Sequence, residues 1–331
     1  VPPDFLFNIY NYESSTTETL RDHFQQLALD IDMMGAKSVL EIGCNDGVLL
    51  SPLQKRGIKV LGVDPATNIA SKALEKGVEV IPAFFTNALA RQIVITYGQF
   101  DIVTGSNVFA HIDDMDGVLE GISTVLKNEG SLIFEVHDAS ALLKTLQYDS
   151  IYHEHVSYFT EETAKTLLAR NGFKVYHTIR TRMHGGGLRL YAKKCVPFTL
   201  IYTNNEEEAT EFGLRVAWHK KLLQSLLKEA GRTVGYGAPG RGNTLLNYCE
   251  ITIEQIEYIT DASSLRYNKF TPGTHIPIYS ESERPLISSG ANSALILAWT
   301  YISEIMKKES GYLDKGGKFI VPFPLPKVVK G

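Results

Sequence analysis

The sequence predicts an α/β protein built around two largely parallel sheets, and three features predict it. Short apolar strands alternate with helical stretches over residues 37–136, the alternation resumes at Arg232, and a strongly helical stretch, 212–229, lies between. Such alternation builds a sheet covered by helices on both faces. With 331 residues, 44% hydrophobic and 21% charged, the chain can bury a core in each of two domains.

Residues 1–35 read as an N-terminal helical segment. The aromatics Phe5, Phe7, Tyr10 and Tyr12 precede a helix from Ser14, in which Leu20, Phe24 and Leu27 share one face. The first α/β domain is expected over 36–198, with strands at 38–42, 59–64, 78–81, 100–104 and 131–136. A helix at 160–171 then leads to two longer strands, 173–182 and 187–193, joined around Met183-His184-Gly185-Gly186 as an antiparallel pair at the sheet end. A connector, 199–231, is polar and acidic before it becomes helical. The second domain, 232–331, carries strands at 233–236, 256–260, 294–299 and 318–321.

Composition excludes several functions. A net charge of -4 and no basic run argue against a general nucleic-acid binder. Cys44, Cys195 and Cys249 are odd in number and far apart, so neither a disulfide framework nor a cysteine zinc knuckle is expected, and no metal site is assigned. No apolar run approaches the roughly 20 residues of a membrane span, and the start is not a signal peptide. A cytoplasmic protein, monomer or homodimer, is the expectation.

The chemistry starts at Glu41-Ile42-Gly43-Cys44-Asn45-Asp46-Gly47, directly after the first strand and before a helix. Glycines there let backbone approach a ligand, and a helix N-terminus offers free N–H groups. Asp64 ends the second strand, where a carboxylate can take both hydroxyls of a ribose. Two details favour S-adenosylmethionine over a nicotinamide dinucleotide. The loop lacks G-x-G-x-x-G, and Asn45 and Asp46 provide acceptors for an amino-acid ammonium rather than a diphosphate cradle. The antiparallel pair also resembles the seventh-strand arrangement of class I methyltransferases.

Further residues suit that crevice. Asn107 and His111 follow the fourth strand, whose carboxyl end faces the ligand, Asn107 towards the cofactor and His111 towards a substrate. Tyr152, His153, Glu154 and His155 put a phenol, two imidazoles and a carboxylate in four residues; a histidine can take a proton from a carbon acid, with the glutamate orienting it. Metal binding by His153 and His155 is the rival reading. In the second domain, Gly235-Tyr236-Gly237-Ala238-Pro239-Gly240 matches G-x-G-x-x-G, and Asp261 ends the next strand, as a dinucleotide site requires. Gly237, Arg241, Asn243 and, farther on, Lys269 equally suit a diphosphate-bearing substrate.

Taken together, the motifs E-I-G-C-N-D-G-V-L-L from Glu41, S-N-V-F-A-H-I-D-D from Ser106, I-Y-H-E-H-V-S-Y-F from Ile151 and G-Y-G-A-P-G-R-G-N-T-L-L-N-Y from Gly235 resemble the sugar C-methyltransferases of deoxysugar biosynthesis. Those enzymes act on nucleotide-linked 4-keto-hexoses. The resemblance covers nearly the whole chain. It implies a class I S-adenosylmethionine methyltransferase domain of Rossmann-like form, followed by a second Rossmann-like domain that helps hold the nucleotide sugar. It also implies that Tyr152, Glu154, His155 and His111 line the reacting sugar, with His155 the base, and that a tyrosine such as Tyr10 or Tyr12 joins them. Members usually carry an N-terminal zinc domain with four cysteines, which this chain does not have, so zinc is expected only if such a domain precedes Val1. Family loops commonly show Lys where Arg241 stands.

The expected reaction is C-methylation of a nucleotide-linked 4-keto-deoxyhexose through a base-generated enolate. His155 removes the proton and Tyr152 or His111 donates to the enolate oxygen. The competing readings are an NAD(P)-dependent oxidoreductase built on the second glycine loop and a non-catalytic nucleotide-sugar binding module.

Overall fold

The computed structural model describes residues 3–10, 12–200 and 206–331. They group into two compact units. The first runs to Ser140 and resumes at His153; the second combines Ala141–Tyr152 with the chain from the connector helix onward. The second unit therefore takes a stretch that, by its place in the sequence, would be counted with the first.

In the first unit, a short helix α1 (Pro3–Phe7) precedes α2 (Glu18–Met33). The Thr17 hydroxyl caps α2 by accepting from Leu20 N at 3.3 Å. The helix therefore starts four residues later than its periodicity suggests, and the Ser14 amide and Ser15 hydroxyl bond to Asn45 and Asp46 instead. Leu20, Phe24, Leu27, Ala28 and Ile31 form its buried stripe.

Seven strands follow: β1 (Ser38–Ile42), β2 (Lys59–Val63), β3 (Val80–Ile81), β4 (Phe100–Ser106), β5 (Leu126–His137), β6 (Phe173–Thr181) and β7 (Gly187–Lys194). Between them lie α3 (Leu50–Gln54), α4 (Thr67–Glu75), α5 (Asn87–Tyr97), α6 (Met115–Val125), α7 (Ala139–Lys144) and α8 (Glu161–Arg170). The sheet order is β3-β2-β1-β4-β5-β7-β6. Strands β1 to β5 are parallel, while β7 inserts antiparallel between β5 and β6. Every residue of β1 is buried, as a central strand covered on both faces must be. Phe109 and Phe134 stack at 4.1 Å in the core beneath the carboxyl ends of β4 and β5. The order reverses between β1 and β4, and that switch point opens the crevice used by ligands in such sheets.

After the stretch Ala141–Tyr152, the second unit continues with α9 (Glu206–Glu229), which absorbs the acidic end of the connector. Its strands are β8 (Thr233–Tyr236), β9 (Ile259–Asp261), β10 (Lys269–Phe270), β11 (Pro277–Ser280), β12 (Ser293–Ile296), β13 (Lys318–Val321) and β14 (Lys327–Lys330), with helices α10 (Gly240–Tyr248), α11 (Ile302–Lys308) and α12 (Ser310–Asp314). The order β10-β11-β9-β8-β12-β13-β14 has a parallel centre and antiparallel edges at β10 and β14. Its own core runs from Val234 and Leu245 to Phe319.

Candidate active site

The loop after β1 is tied to the end of β2. Gly43 N donates to Val63 O at 2.8 Å, and Asn45 N donates to Asp64 Oδ2 at 2.8 Å. The other Asp64 oxygen accepts from Ala66 N at 2.9 Å. Gly43 has φ +69°, and a Cβ there would lie 2.9 Å from Val108, so only glycine lets the loop pass beneath the segment after β4. Helix α3 starts at Leu50 and is five residues long, so turns rather than a helix follow Gly47 directly.

The electrostatics of this loop select a cationic ligand. Glu41, Asp46 and Asp64 are 2%, 1% and 6% exposed, and among the described residues Lys76, 3.1 Å from Asp46, is the lysine or arginine that pairs with them. Burial pushes the Glu41 carboxyl well above its ordinary range, and the neighbouring Asp64 and Asp46 push it further. Burial also raises Asp64, against the pull of its two backbone amides. Burial, with Glu41 and Asp64 close by, raises the Cys44 thiol, which stays protonated. Among the described residues, Glu41 Oε2 and Asp46 Oδ1 are buried with no hydrogen-bond partner. Unmet acceptors in an acidic, glycine-floored crevice fit a ligand bearing a sulfonium and an ammonium; a diphosphate would be repelled. Glu41, Asp46 and Asp64 are the residues that would hold S-adenosylmethionine.

Asn45 ties the preceding chain to the loop: its Oδ1 accepts from Ser14 N at 2.9 Å and its Nδ2 donates to Tyr12 O at 3.0 Å. Asn68, near the start of α4, treats Tyr10 likewise, accepting from its N at 3.0 Å and donating to its O at 2.9 Å. The chain before α2 is thus strapped across both rims of the cofactor loop. No sequence signal pointed to Asn68.

That strap reaches the cluster of His111, Glu154 and His155. Tyr10 donates its phenol to Glu154 Oε2 at 3.4 Å, and the Phe7 ring meets His111 at 5.4 Å. Tyr12 instead neighbours His184, at 6.4 Å. Of the two tyrosines, Tyr10 is the one that joins Glu154. His111 Nδ1 lies 2.8 Å from the Glu154 carbonyl, and the His111 and His155 rings are 5.0 Å apart. Tyr158 meets His155 edge-on at 6.2 Å. His111, Glu154 and His155 therefore come together in the first unit, His153 is exposed, and Tyr152 belongs to the second unit. Asn107 adopts φ 56° and its backbone N–H donates to Glu135 O at 2.9 Å. Among the described residues, no group of three or more His, Cys, Asp or Glu side chains is arranged to hold a metal ion.

The second glycine loop repeats the first in one respect. Asp261 accepts from Ala238 N and Ser263 N, as Asp64 accepts from Asn45 N and Ala66 N. Here, however, Arg266 lies 3.1 Å from the carboxylate. Gly237, φ +77°, packs where a Cβ would stand 2.6 Å from Ala298. Arg241 also differs from expectation. Rather than opening among the loop amides, its guanidinium forks onto Asp149 at 2.7 and 2.8 Å, reaches Gln147, and lies over Trp299. The reason is burial: Asp149 is 1% exposed and needs a cation. The Asn243 carbonyl accepts from Asn247 Nδ2. Lys269 is exposed on β10, the edge strand three positions from β8 in the sheet order.

Residues 12–178 match the methyltransferase domain family, and residues 200–324 match the C-methyltransferase C-terminal domain family. The C-methyltransferase NovU of Streptomyces niveus is 34% identical across 99% of this chain and 83% of its own length. The mitochondrial ubiquinone biosynthesis O-methyltransferase of Homo sapiens is 28% identical over 43% of this chain and 42% of its own. Among solved structures, the PH0226 protein of Pyrococcus horikoshii OT3 aligns with a TM-score of 0.46 at 19% identity, over 56% of this chain and 96% of that one. With a relative 34% identical across 99% of this chain, and with both halves matched to methyltransferase families, the chain belongs to the S-adenosylmethionine-dependent C-methyltransferases.

Proposed function

We propose that the chain methylates a carbon beside the ketone of a nucleotide-linked 4-keto-deoxyhexose. The observation that carries this reading is the convergence of His111, Glu154, His155 and Tyr10 in the unit that contains the cofactor loop. A ketone acidifies the hydrogen on the adjacent carbon, and an imidazole is the side chain suited to take it near neutral pH. His155 removes that proton, and the electron pair moves onto the carbonyl oxygen as an enolate.

His111 takes a role other than the one its position suggested. A carbonyl only accepts, so His111 carries its proton on Nδ1 towards Glu154, and in the neutral ring Nε2 is an acceptor. Neutral His111 thus receives a hydroxyl of the sugar instead of donating to the enolate. Bound S-adenosylmethionine supplies an electrophilic methyl on sulfur, with a neutral thioether as leaving group. Holding the enolate carbon in line with that methyl is the chief contribution of the site. In the second unit, Gly237, Asn243 and the amides opening α10 suit the diphosphate, a helix N-terminus being a ready anion site.

Labelled S-adenosylmethionine incubated with a panel of 4-keto nucleotide sugars tests the reading. Label should enter a carbon of the sugar, and His155→Ala should stop solvent deuterium exchange at that carbon while S-adenosylhomocysteine still binds. Label on oxygen, or on no sugar of the panel, overturns it.

A further inference from the structure

We propose that Asn68 is a positioning residue: through its clasp on Tyr10 it sets the phenol that meets Glu154. Glu154's part in catalysis rests on the reading above, whereas the clasp itself is a matter of the chain's own hydrogen bonds.

Asn68 satisfies both backbone groups of one residue, accepting from Tyr10 N at 3.0 Å and donating to Tyr10 O at 2.9 Å. This is the pairing a neighbouring strand would make, delivered by a single side-chain amide. It fixes the Tyr10 main chain in place and direction, and the phenol then reaches Glu154 Oε2 at 3.4 Å. Asn45 holds the chain farther on, bonding the carbonyl of one residue, Tyr12, and the amide of another, Ser14. Thr67 adds a bond to Asn8 O at 3.4 Å.

The anchor of the clasp is the cofactor carboxylate. Asp64 Oδ1 holds Ala66 N and Oδ2 holds Asn45 N, so both asparagines stand within two residues, or on the very residue, fixed by Asp64. A continuous chain of bonds runs from Asp64 through Ala66 and Asn68 to Tyr10 and Glu154. Asn68 is half-buried and spends its amide on the strap, so its part is to place Tyr10 rather than to touch the methyl donor.

The test uses the full chain, wild type against Asn68→Ala and Asn68→Asp. Amide hydrogen exchange is read at Tyr10 and Ser14, S-adenosylhomocysteine affinity by calorimetry, and methyl transfer to whichever sugar of the panel the wild type accepts. Asn68→Ala should speed exchange at Tyr10 about tenfold or more, with β1 and β4 protected as before. Affinity should stay within about threefold, and methyl transfer should slow by about tenfold or more. Asn68→Asp keeps the acceptor for Tyr10 N and loses the donor to its carbonyl, so it should fall between. Tyr10→Phe combined with Asn68→Ala should be no slower than the worse single variant. Unchanged exchange at Tyr10 overturns the clasp; lost affinity with the strap intact makes Asn68 a cofactor residue and overturns it too. A released strap with wild-type turnover, or independent effects of the two substitutions, overturns the positioning role. If the wild type methylates no sugar of the panel, the substrate reading fails while exchange and affinity still decide the clasp.

Discussion

The Nδ1–H of His111 donates to the backbone carbonyl of Glu154 at 2.8 Å, so one imidazole of the site is steered by main chain rather than by a carboxylate. Burial holds its pKa below the ordinary 6.5, while the carbonyls of Glu154 and Asn107 lean the other way. The ring is therefore neutral at physiological pH. Because the base His155 must also be unprotonated, His111 is read from the difference between the wild-type and His111→Asn profiles, and its own protonation should enter only below about 6.5. His111→Asn, which keeps a donor near the Glu154 carbonyl, should lose about tenfold in turnover with S-adenosylhomocysteine affinity unchanged. A rate that climbs towards acid pH would mean that the imidazolium is the working form.

Glu41 should couple cofactor binding to pH. Its carboxyl is buried with Asp64 and Asp46 nearby, and all three effects raise its pKa in the free protein. A cation entering the crevice favours the carboxylate, so binding should release a proton. Affinity for S-adenosylmethionine should then rise with pH up to the raised pKa of Glu41 and level off above it. Calorimetry in buffers of different ionisation enthalpy counts the proton, and Glu41→Gln should abolish both the release and the slope. Equal proton release in that variant would assign the linkage elsewhere.

Much of this was legible in the chain. The strand-loop-strand around Gly43 and Asp64 has a local signature, because a left-handed glycine and a strand-end carboxylate are both short-range requirements. The run Tyr152 to His155 stood out by its residue types, whereas the company of His111 and Tyr10 was expected only from the family resemblance. What the sequence hid are the partners made at long separation. Asn68 clasps Tyr10 across 58 residues, and Arg241 finds Asp149 across 92, with no periodicity or motif to announce either. Arg241 sits in a phosphate-like context, yet a buried carboxylate outcompetes an exposed anion for a guanidinium. The assignment of 141–152 to the second unit has the same origin, since Tyr148 and Asp149 are buried among His219, Cys249 and Trp299.

Arg241 should prove a structural cation. It forks onto Asp149, which also accepts from Trp299 Nε1 at 2.8 Å. Arg241→Met leaves a buried carboxylate with its indole partner alone and should destabilise the second unit by about 3–5 kcal/mol. Arg241→Lys keeps the charge but not the fork and should cost less. Both tryptophans, Trp218 and Trp299, lie in this unit, so urea titration followed by tryptophan fluorescence reads it selectively. Full stability in Arg241→Met, with weakened binding of a nucleoside diphosphate, would restore the guanidinium to the ligand.

The same unit should weaken in acid through His219. This imidazole is fully buried, with Nε2 2.7 Å from Pro322 O and Nδ1 3.0 Å from the Tyr148 hydroxyl. The Pro322 carbonyl fixes the proton on Nε2, so Tyr148 donates to Nδ1 and Cys249, 3.1 Å away, donates to the phenol oxygen. Burial lowers the pKa of His219, with Pro322 O and Asp149 opposing, and raises that of Cys249 to about 11. A depressed histidine pKa means the unfolded chain binds the proton first. Its contribution to stability is complete above the unfolded value, near 6.5, and is lost as pH falls from there towards the folded pKa, by at most about 1.4 kcal/mol per pH unit. His219→Gln retains a donor for Pro322 and cannot titrate, so it should be less stable at pH near 8 and show a flatter decline in acid. Tyr148→Phe keeps the titrating ring but takes the donor from Nδ1, which removes the penalty for protonating that nitrogen; its decline should be shallower than wild type and steeper than His219→Gln. Parallel acid slopes in wild type and His219→Gln would place the acid sensitivity on other groups.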